Sequence, residues 1–273
     1  MSLYPLKFVP RLVPKIWGGR KLHEVLGKPL PPGASIGESW ELYDFPPGVV
    51  NGQTGWCSSV VANGPLAGQT LHELVLRYGP ELHGDAKLVG PGQFPILIKY
   101  LDARENLSLQ VHPDEAYVKA HPEAHLKNEA WYVLQAEPGA RLYKGLKSGV
   151  SRQAFERALA DKTVEGLVHA SAVKPGDCFY LPSGTVHALG AGIVVAEVQT
   201  PSDTTFRLYD FGRVDPTNGK PRDLHVDEAL QCIDFAAATR PRPRQHTASY
   251  FTAITRLVDC PQFRLEKVRF VEG

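Results

Sequence analysis

The chain has 273 residues, with 30 Lys and Arg against 29 Asp and Glu and a formal net charge of +1. That length can bury a substantial core as one large barrel or two small domains, and near-neutrality makes neither nucleic acid nor an anionic membrane surface a natural partner. No apolar run is long enough to span a bilayer, Met1–Lys7 lacks the apolar centre of a signal peptide, and Cys57, Cys178, Cys232 and Cys260 are scattered without paired spacing, so the thiols read as free and the chain is expected in a reducing cytoplasm.

In chain order, residues 1 to about 62 read as short strands and loops rich in Pro and Gly. Gly64 to Gly92 reads as helical, with Thr70 as N-cap before Leu71, Leu74 and Val75. Phe94–Leu101 is a predicted strand carrying Lys99 in an apolar run, where a charge calls for a phosphate or a buried ion pair. In Leu107–Pro113, period two puts Ser108, Gln110 and His112 on one face and Leu107, Leu109 and Val111 on the other. Such a strand fits a barrel wall buried on both sides, with its polar patch at a cavity. Asp114 opens a short helix whose acidic first turn suits the helix dipole. Glu129 opens an apolar strand reaching Gln135, and Ser151 caps a helix with Phe155, Ala158 and Leu159 on one face. Strand and turn follow over Val168–Leu181, a strand over Ile193–Gln199 and a short helix over Asp227–Ile233. Thr239–Gln245, with three arginines between prolines, reads as an extended solvated linker. Ser249–Val258 and Phe263–Phe270 are two further strands. A lone pair of strands is marginal and its edges invite pairing, so they are expected to dock on the main barrel or to join subunits into a homo-oligomer.

Gly176-Asp-Cys-Phe-Tyr-Leu-Pro182-Ser-Gly-Thr-Val-His187 is the most telling stretch. A glycine turn leads into a short apolar strand, a proline ends it, and a histidine follows with little slack, pointing into a barrel. Gln110, His112, Glu129 and His187 then supply two imidazoles, a carboxylate and an amide oxygen. That set suits a borderline divalent ion such as zinc. Taken singly, each is an ordinary residue: a hydrogen-bonded strand histidine or a solvated strand end. Their combination carries the reading.

The Gly-x5-Pro-x4-His string resembles the second motif of cupin barrels. Ile16-Trp-Gly-Gly19, Gly37-Glu-Ser-Trp-Glu41, Leu107–Asp114, Lys127-Asn-Glu129 and Ser202–Asp210 together resemble the type I phosphomannose isomerases, in that family's order across nearly the whole chain. The resemblance implies a mainly β fold, a cupin-type jelly-roll barrel with helical insertions, over residues 1–240. Residues 241–273 would then be the opening strands of an incomplete second barrel. It implies one Zn2+ per chain on Gln110, His112, Glu129 and His187. Glu197 and Arg207 would be catalytic, and Lys99, Ser108 and Lys127 would bind substrate. The implied reaction interconverts mannose 6-phosphate and fructose 6-phosphate through an enediolate. One departure is Ala191, at a position four beyond His187 that is often Asn in cupins. With the resemblance, Glu197 on the strand after His187 reads as the proton shuttle, a metal-bound water or a Lys being the alternatives, while from the residues alone Arg207 reads first as a turn-pinning partner of Asp210 or Asp203. Trp17 and Trp40 read as core. Two rival readings are a sugar-phosphate-binding cupin without activity and an iron-dependent cupin oxygenase.

Overall fold

The computed structural model describes residues 3–50, 53–236, 245–248 and 252–270. In chain order the strands are β1 (Arg11–Val13), β2 (Glu38–Leu42), β3 (Asp44–Phe45), β4 (Cys57–Ser58), β5 (Leu97–Ala103), β6 (Leu109–Val111), β7 (Glu129–Ala136) and β8 (Arg141–Leu146). They continue with β9 (Val168–Ala172), β10 (Cys178–Leu181), β11 (His187–Leu189), β12 (Ile193–Gln199), β13 (Phe206–Tyr209), β14 (Gln245–Ala248), β15 (Thr252–Asp259) and β16 (Arg264–Phe270). The helices are α1 (Lys21–Leu26), α2 (Leu71–Tyr78), α3 (Pro80–His83), α4 (Glu115–Ala120), α5 (Arg152–Ala160) and α6 (Val226–Cys232).

Two antiparallel sheets form the body. One has six strands in the order β1-β2-β5-β12-β7-β10, the other five in the order β13-β6-β11-β8-β9. Leu101, Trp131, Val133 and Val195 of the first sheet share one core with Leu142 and Leu189 of the second, so the sheets pack face to face. This is the mainly β, cupin-type fold expected, built as two facing sheets rather than a closed ring of hydrogen-bonded strands. The interior between the two sheets is where strand residues of both meet away from water.

Local chemistry sets the elements. Thr70 and Glu73 form a capping box at the start of α2, Asp114 accepts from the Tyr117 amide at α4, and Ser151 accepts from the Ala154 amide at α5. The expected long helix after Gly64 is instead a 3-10 turn followed by α2 and α3, which are separated at Gly79. α1 was not expected; its N-cap position, Arg20, offers no side-chain cap, so no start signal marks it. The turn before β10 needs Gly176 at φ +90°, where its amide donates to the Val133 carbonyl. Gly190 is fixed by crowding: a Cβ there would sit 1.9 Å from the Arg141 carbonyl oxygen.

β14, β15 and β16 form a separate three-stranded sheet. Val258, Phe263 and Leu265 pack on Ala130, Tyr180 and Val198, the outward residues of the six-stranded sheet. The central strands of that sheet are therefore covered on both faces, which is why they read as continuous apolar runs. Burying one such aromatic contributes roughly 1.5–3 kcal/mol. The two C-terminal strands expected from the sequence gain β14 as a third. Of the proposed linker, residues 239–244 lie outside the described residues.

Candidate active site

β6 carries the first ligands. Leu109 and Val111 turn outward into one core cluster, while Ser108, Gln110 and His112 turn inward. His187 opens β11 and pairs in register with Gln110, and Gln110 pairs on its other side with Arg207 of β13. Residues directly paired across antiparallel strands point to the same face, so Arg207, Gln110 and His187 form one row along the five-stranded sheet. Facing them, Glu197 of β12 pairs with Lys99 of β5 and with Trp131 of β7.

Glu129 reaches across the gap between the sheets. Its Oε1 lies 2.7 Å from His112 Nε2 and 3.0 Å from His187 Nε2. The donor atoms of His112, Glu129 and His187 all lie within 4.8 Å of one another, and the three side chains are about 1 % exposed. His187 Nδ1 is 2.8 Å from the Thr185 carbonyl oxygen, which can only accept, so Nδ1 donates there and Nε2 is the ring nitrogen turned toward Glu129. Trp131 meets the His187 ring edge to face at 5.3 Å and holds its plane. Burial and then Lys127 push the His112 imidazolium down to about 3, so the ring is neutral at physiological pH. Burial would raise Glu129, but Lys127 and the two imidazoles outweigh it and hold the carboxyl well below its usual range. Two imidazoles and a carboxylate converging in a dry site are the donor set of a divalent metal. His112 Nδ1 has no protein partner. Gln110 stands beside the trio with its amide nitrogen 3.3 Å from His187 Nε2 and its oxygen 3.5 Å from Ser108 Oγ.

A cavity of about 250 Å3 opens from this cluster. Every site residue expected from the sequence lines it or, for His112 and His187, contacts Glu129 on its wall. Lys99 Nζ sits 3.4 Å from Glu197 and 3.9 Å from Glu38, and Lys127 Nζ is 3.6 Å from Glu129. Burial would lower Lys99, but Glu197 and Glu38 outweigh it and raise its proton affinity. Lys99 is thus the buried ion pair foreseen as one of its two readings. Burial, joined by the neighbouring Glu129 and opposed by Lys99, pushes the Glu197 carboxyl up to about 8. Arg207 does not pin its turn through Asp210. Its Nη1 donates to the Asp223 carbonyl at 2.6 Å and its buried Nε has no partner, while Asp210 is taken by Arg213 and Arg222.

Glu38, Trp131 and Arg222 line the cavity and were not singled out by the sequence reading. Glu38 accepts from Trp40 Nε1 at 2.7 Å and lies 3.3 Å from Lys15. It was visible only as part of the Gly37–Glu41 string. Trp131 was legible as a buried strand aromatic, but nothing in the sequence showed that its unpartnered Nε1 lies at a cavity.

The model of the phosphomannose isomerase type I catalytic domain matches residues 6–139. A probable mannose-6-phosphate isomerase, GmuF of Bacillus subtilis, is 39% identical over 233 residues, covering 84% of this chain and 68% of its own length. The chain belongs to the type I phosphomannose isomerase family. A mannose-6-phosphate isomerase of Streptococcus mutans is 38% identical over 239 residues, covering 88% of this chain and 71% of its own. The crystal structure of the mannose 6-phosphate isomerase from Bacillus subtilis superposes with a TM-score of 0.86 at 33% identity, covering 98% of this chain and 81% of that one. The matched residues 6–139 include the strands β5 and β7, which carry Lys99 and Glu129, and β6, which His112 directly follows.

Proposed function

We infer that this chain is a mannose-6-phosphate isomerase, interconverting mannose 6-phosphate and fructose 6-phosphate by proton transfer between neighbouring carbons. The observation that carries the reading is a single cavity, in a member of this family, holding a convergent His112–Glu129–His187 trio with the buried Glu197 carboxyl next to Glu129. Those three residues would hold one zinc ion per chain, with Gln110 as fourth ligand once its amide oxygen is turned toward His187. Bound there, the metal would act as a Lewis acid on the hydroxyl and carbonyl oxygens of the open-chain sugar.

Glu197 carries the proton. As carboxylate it accepts the proton from C2 of the aldose, and as carboxylic acid it delivers that proton to C1, while the proton of the O2 hydroxyl passes to O1, giving the ketose. Its proton affinity near neutrality suits both directions, since a much stronger acid would not hold the proton between steps. Lys99 holds the carboxylate in place from the facing strand position. Arg207 supplies a fixed positive charge on the wall beside Gln110, and Ser108 and Lys127 bind the substrate from the same wall and its rim. The sheet interior excludes water, which strengthens each of these interactions. The catalytic unit is residues 1–240, with β14, β15 and β16 as an accessory sheet outside the cavity. Among the described residues no helix is long and apolar enough to cross a membrane, and the proposed place of work is the cytoplasm.

Purified protein stripped with a chelator should lose conversion of mannose 6-phosphate to fructose 6-phosphate and regain it with zinc. Zinc-loaded protein that binds the sugar phosphate but never converts it would sink the proposal.

A further inference from the structure

The turn at residues 182–185, which delivers His187 to the trio, is bonded to all three donor segments from behind. The Thr185 amide donates to the Pro182 carbonyl at 3.1 Å, and Gly184 stands at φ +79°, so this is a type II turn that needs glycine in its third position. The Gly184 amide donates to the His112 carbonyl at 3.0 Å, and the Thr185 carbonyl accepts from His187 Nδ1 at 2.8 Å. Between them, the Ser183 amide donates to the side-chain oxygen Oδ1 of Asn128 at 2.9 Å, and Asn128 directly precedes Glu129. One short turn thus holds one imidazole by its ring, the other by its backbone, and the carboxylate through its neighbour.

Asn128 is placed to do this. In the extended chain entering β7, Lys127 and Glu129 line the cavity, while the side chain between them turns the other way, to Ser183. Asn128 is buried, and its backbone is fixed on both sides: its amide donates to Thr200 Oγ1 at 3.1 Å and its carbonyl accepts from the Thr200 amide at 3.0 Å. Thr200 Oγ1 donates onward to the Leu126 carbonyl, and Thr200 follows the last residue of β12, the strand of Glu197. On its far side the turn rests on the end of α6, where the Asp234 amide donates to the Gly184 carbonyl and a Cβ at Gly184 would lie 3.0 Å from the Cys232 carbonyl oxygen. His112 depends on this clamp most. A metal-binding imidazole is usually oriented through its second nitrogen, but His112 Nδ1 has no protein partner, so the carbonyl held by Gly184 is what fixes its backbone.

We propose that Asn128 is a positioning residue of the metal site, whose amide oxygen locks the 182–185 turn and so keeps His112, Glu129 and His187 convergent before any metal arrives. The proposal rests on the metal reading of the trio and adds how its three donors, distant in the sequence, are set together. A neutral acceptor suits the place: it satisfies the Ser183 amide without adding a charge beside Lys127 and Glu129. Without it that amide loses its partner, the turn is free to shift, and both imidazoles move with it.

The test uses the full chain with cobalt(II) and zinc as probes. Cobalt reports the number and geometry of its ligands through its visible absorption, and zinc affinity is read by competition with a chromophoric chelator, so neither measurement needs turnover. Asn128→Leu keeps the volume and removes the acceptor. It should weaken zinc binding about 10- to 100-fold, the usual weight of an outer partner, and should change the cobalt spectrum. Asn128→Asp keeps an acceptor of the same shape and should retain the wild-type spectrum and affinity. If Asn128→Leu fails to fold, Asn128→Ser, too short to reach the Ser183 amide, takes its place with the same expectations. Wild-type affinity in the variant lacking the acceptor, a weaker affinity with an unchanged cobalt spectrum, or an Asn128→Asp protein as impaired as that variant would each overturn the proposal. A wild-type chain that binds neither metal would overturn the metal reading together with it. Variants that respond as expected in a chain that does not isomerise would support the positioning role and overturn the isomerase reading alone.

Discussion

At the dry end of the cavity, where Glu129 and Glu197 are about 1 % exposed, the groups around the trio stand on paired strands or within two residues of one. Gln110, Glu129, His187 and Glu197 lie in the hydrogen-bonded ladders of the two sheets, and their partners are fixed by register. At the wetter end, Arg213 and Arg222 come from a doubled-back segment and are placed by Asp210 rather than by a ladder. The contrast separates two tasks. Groups that hold a metal and move a proton need placement to a fraction of an ångström and dryness, which paired strands supply. Groups at the more exposed end need only charge and direction, and a carboxylate-braced loop supplies both.

The largest effect should come from breaking the dry end. His112→Ala or His187→Ala removes one of three converging donors, and metal content measured after gel filtration should fall well below one ion per chain, with turnover lost. Full metal stoichiometry in both variants would remove the trio from the assignment. Next comes Glu197→Gln, which keeps the shape but not the proton affinity. It should lower kcat by roughly 10²–10⁴-fold, the usual weight of a general base, while metal content stays at the wild-type level. A kcat within threefold of wild type would hand the proton to another group. Arg207→Lys belongs to the boundary between the two ends. A point charge cannot reproduce a planar fork, so kcat/KM should drop about 10- to 100-fold, worth some 1.4–2.8 kcal/mol, with little change in unfolding temperature. Equal losses in rate and stability would return Arg207 to a structural role.

The same contrast explains what the sequence disclosed. The β6 and β11 ligands were legible because period two and the Gly-x5-Pro-x4-His spacing are local rules. Ser108, Gln110 and His112 needed no knowledge of any other strand to be placed on one face. That Lys99 would meet Glu197 was not legible, because the register between β5 and β12 is fixed by tertiary packing. Arg222 was missed for a further reason. Its partner Asp210 is reached only by a segment that folds back on itself, and from the sequence Asp210 was assigned as a possible partner of Arg207. α1 left no trace because it has no side-chain cap, and β14 because it follows directly on the linker-like run.

The smallest effect is a difference in how the two ends respond to pH. Glu197 has its folded-state proton affinity raised from an ordinary carboxylate value of 4.5 to about 8. Between those values the folded chain keeps a proton that the unfolded chain releases, so this group makes stability fall as pH rises from about 4.5 through about 8. Asp210 acts in the opposite sense. Burial would raise it, but its bonds to Arg222 and Arg213 outweigh that and lower it, so its contribution is present above the ordinary carboxylate value of 3.8 and is lost as pH falls through the depressed folded value. In chelated protein, thermal unfolding of wild type and Glu197→Gln should therefore diverge between pH 5 and 8, with wild type losing stability faster. Asp210→Asn should instead close on wild type only in acid. Parallel curves for Glu197→Gln and wild type over that range would mean the carboxyl is already ionised in the folded chain, and the dry end would then need a different proton carrier.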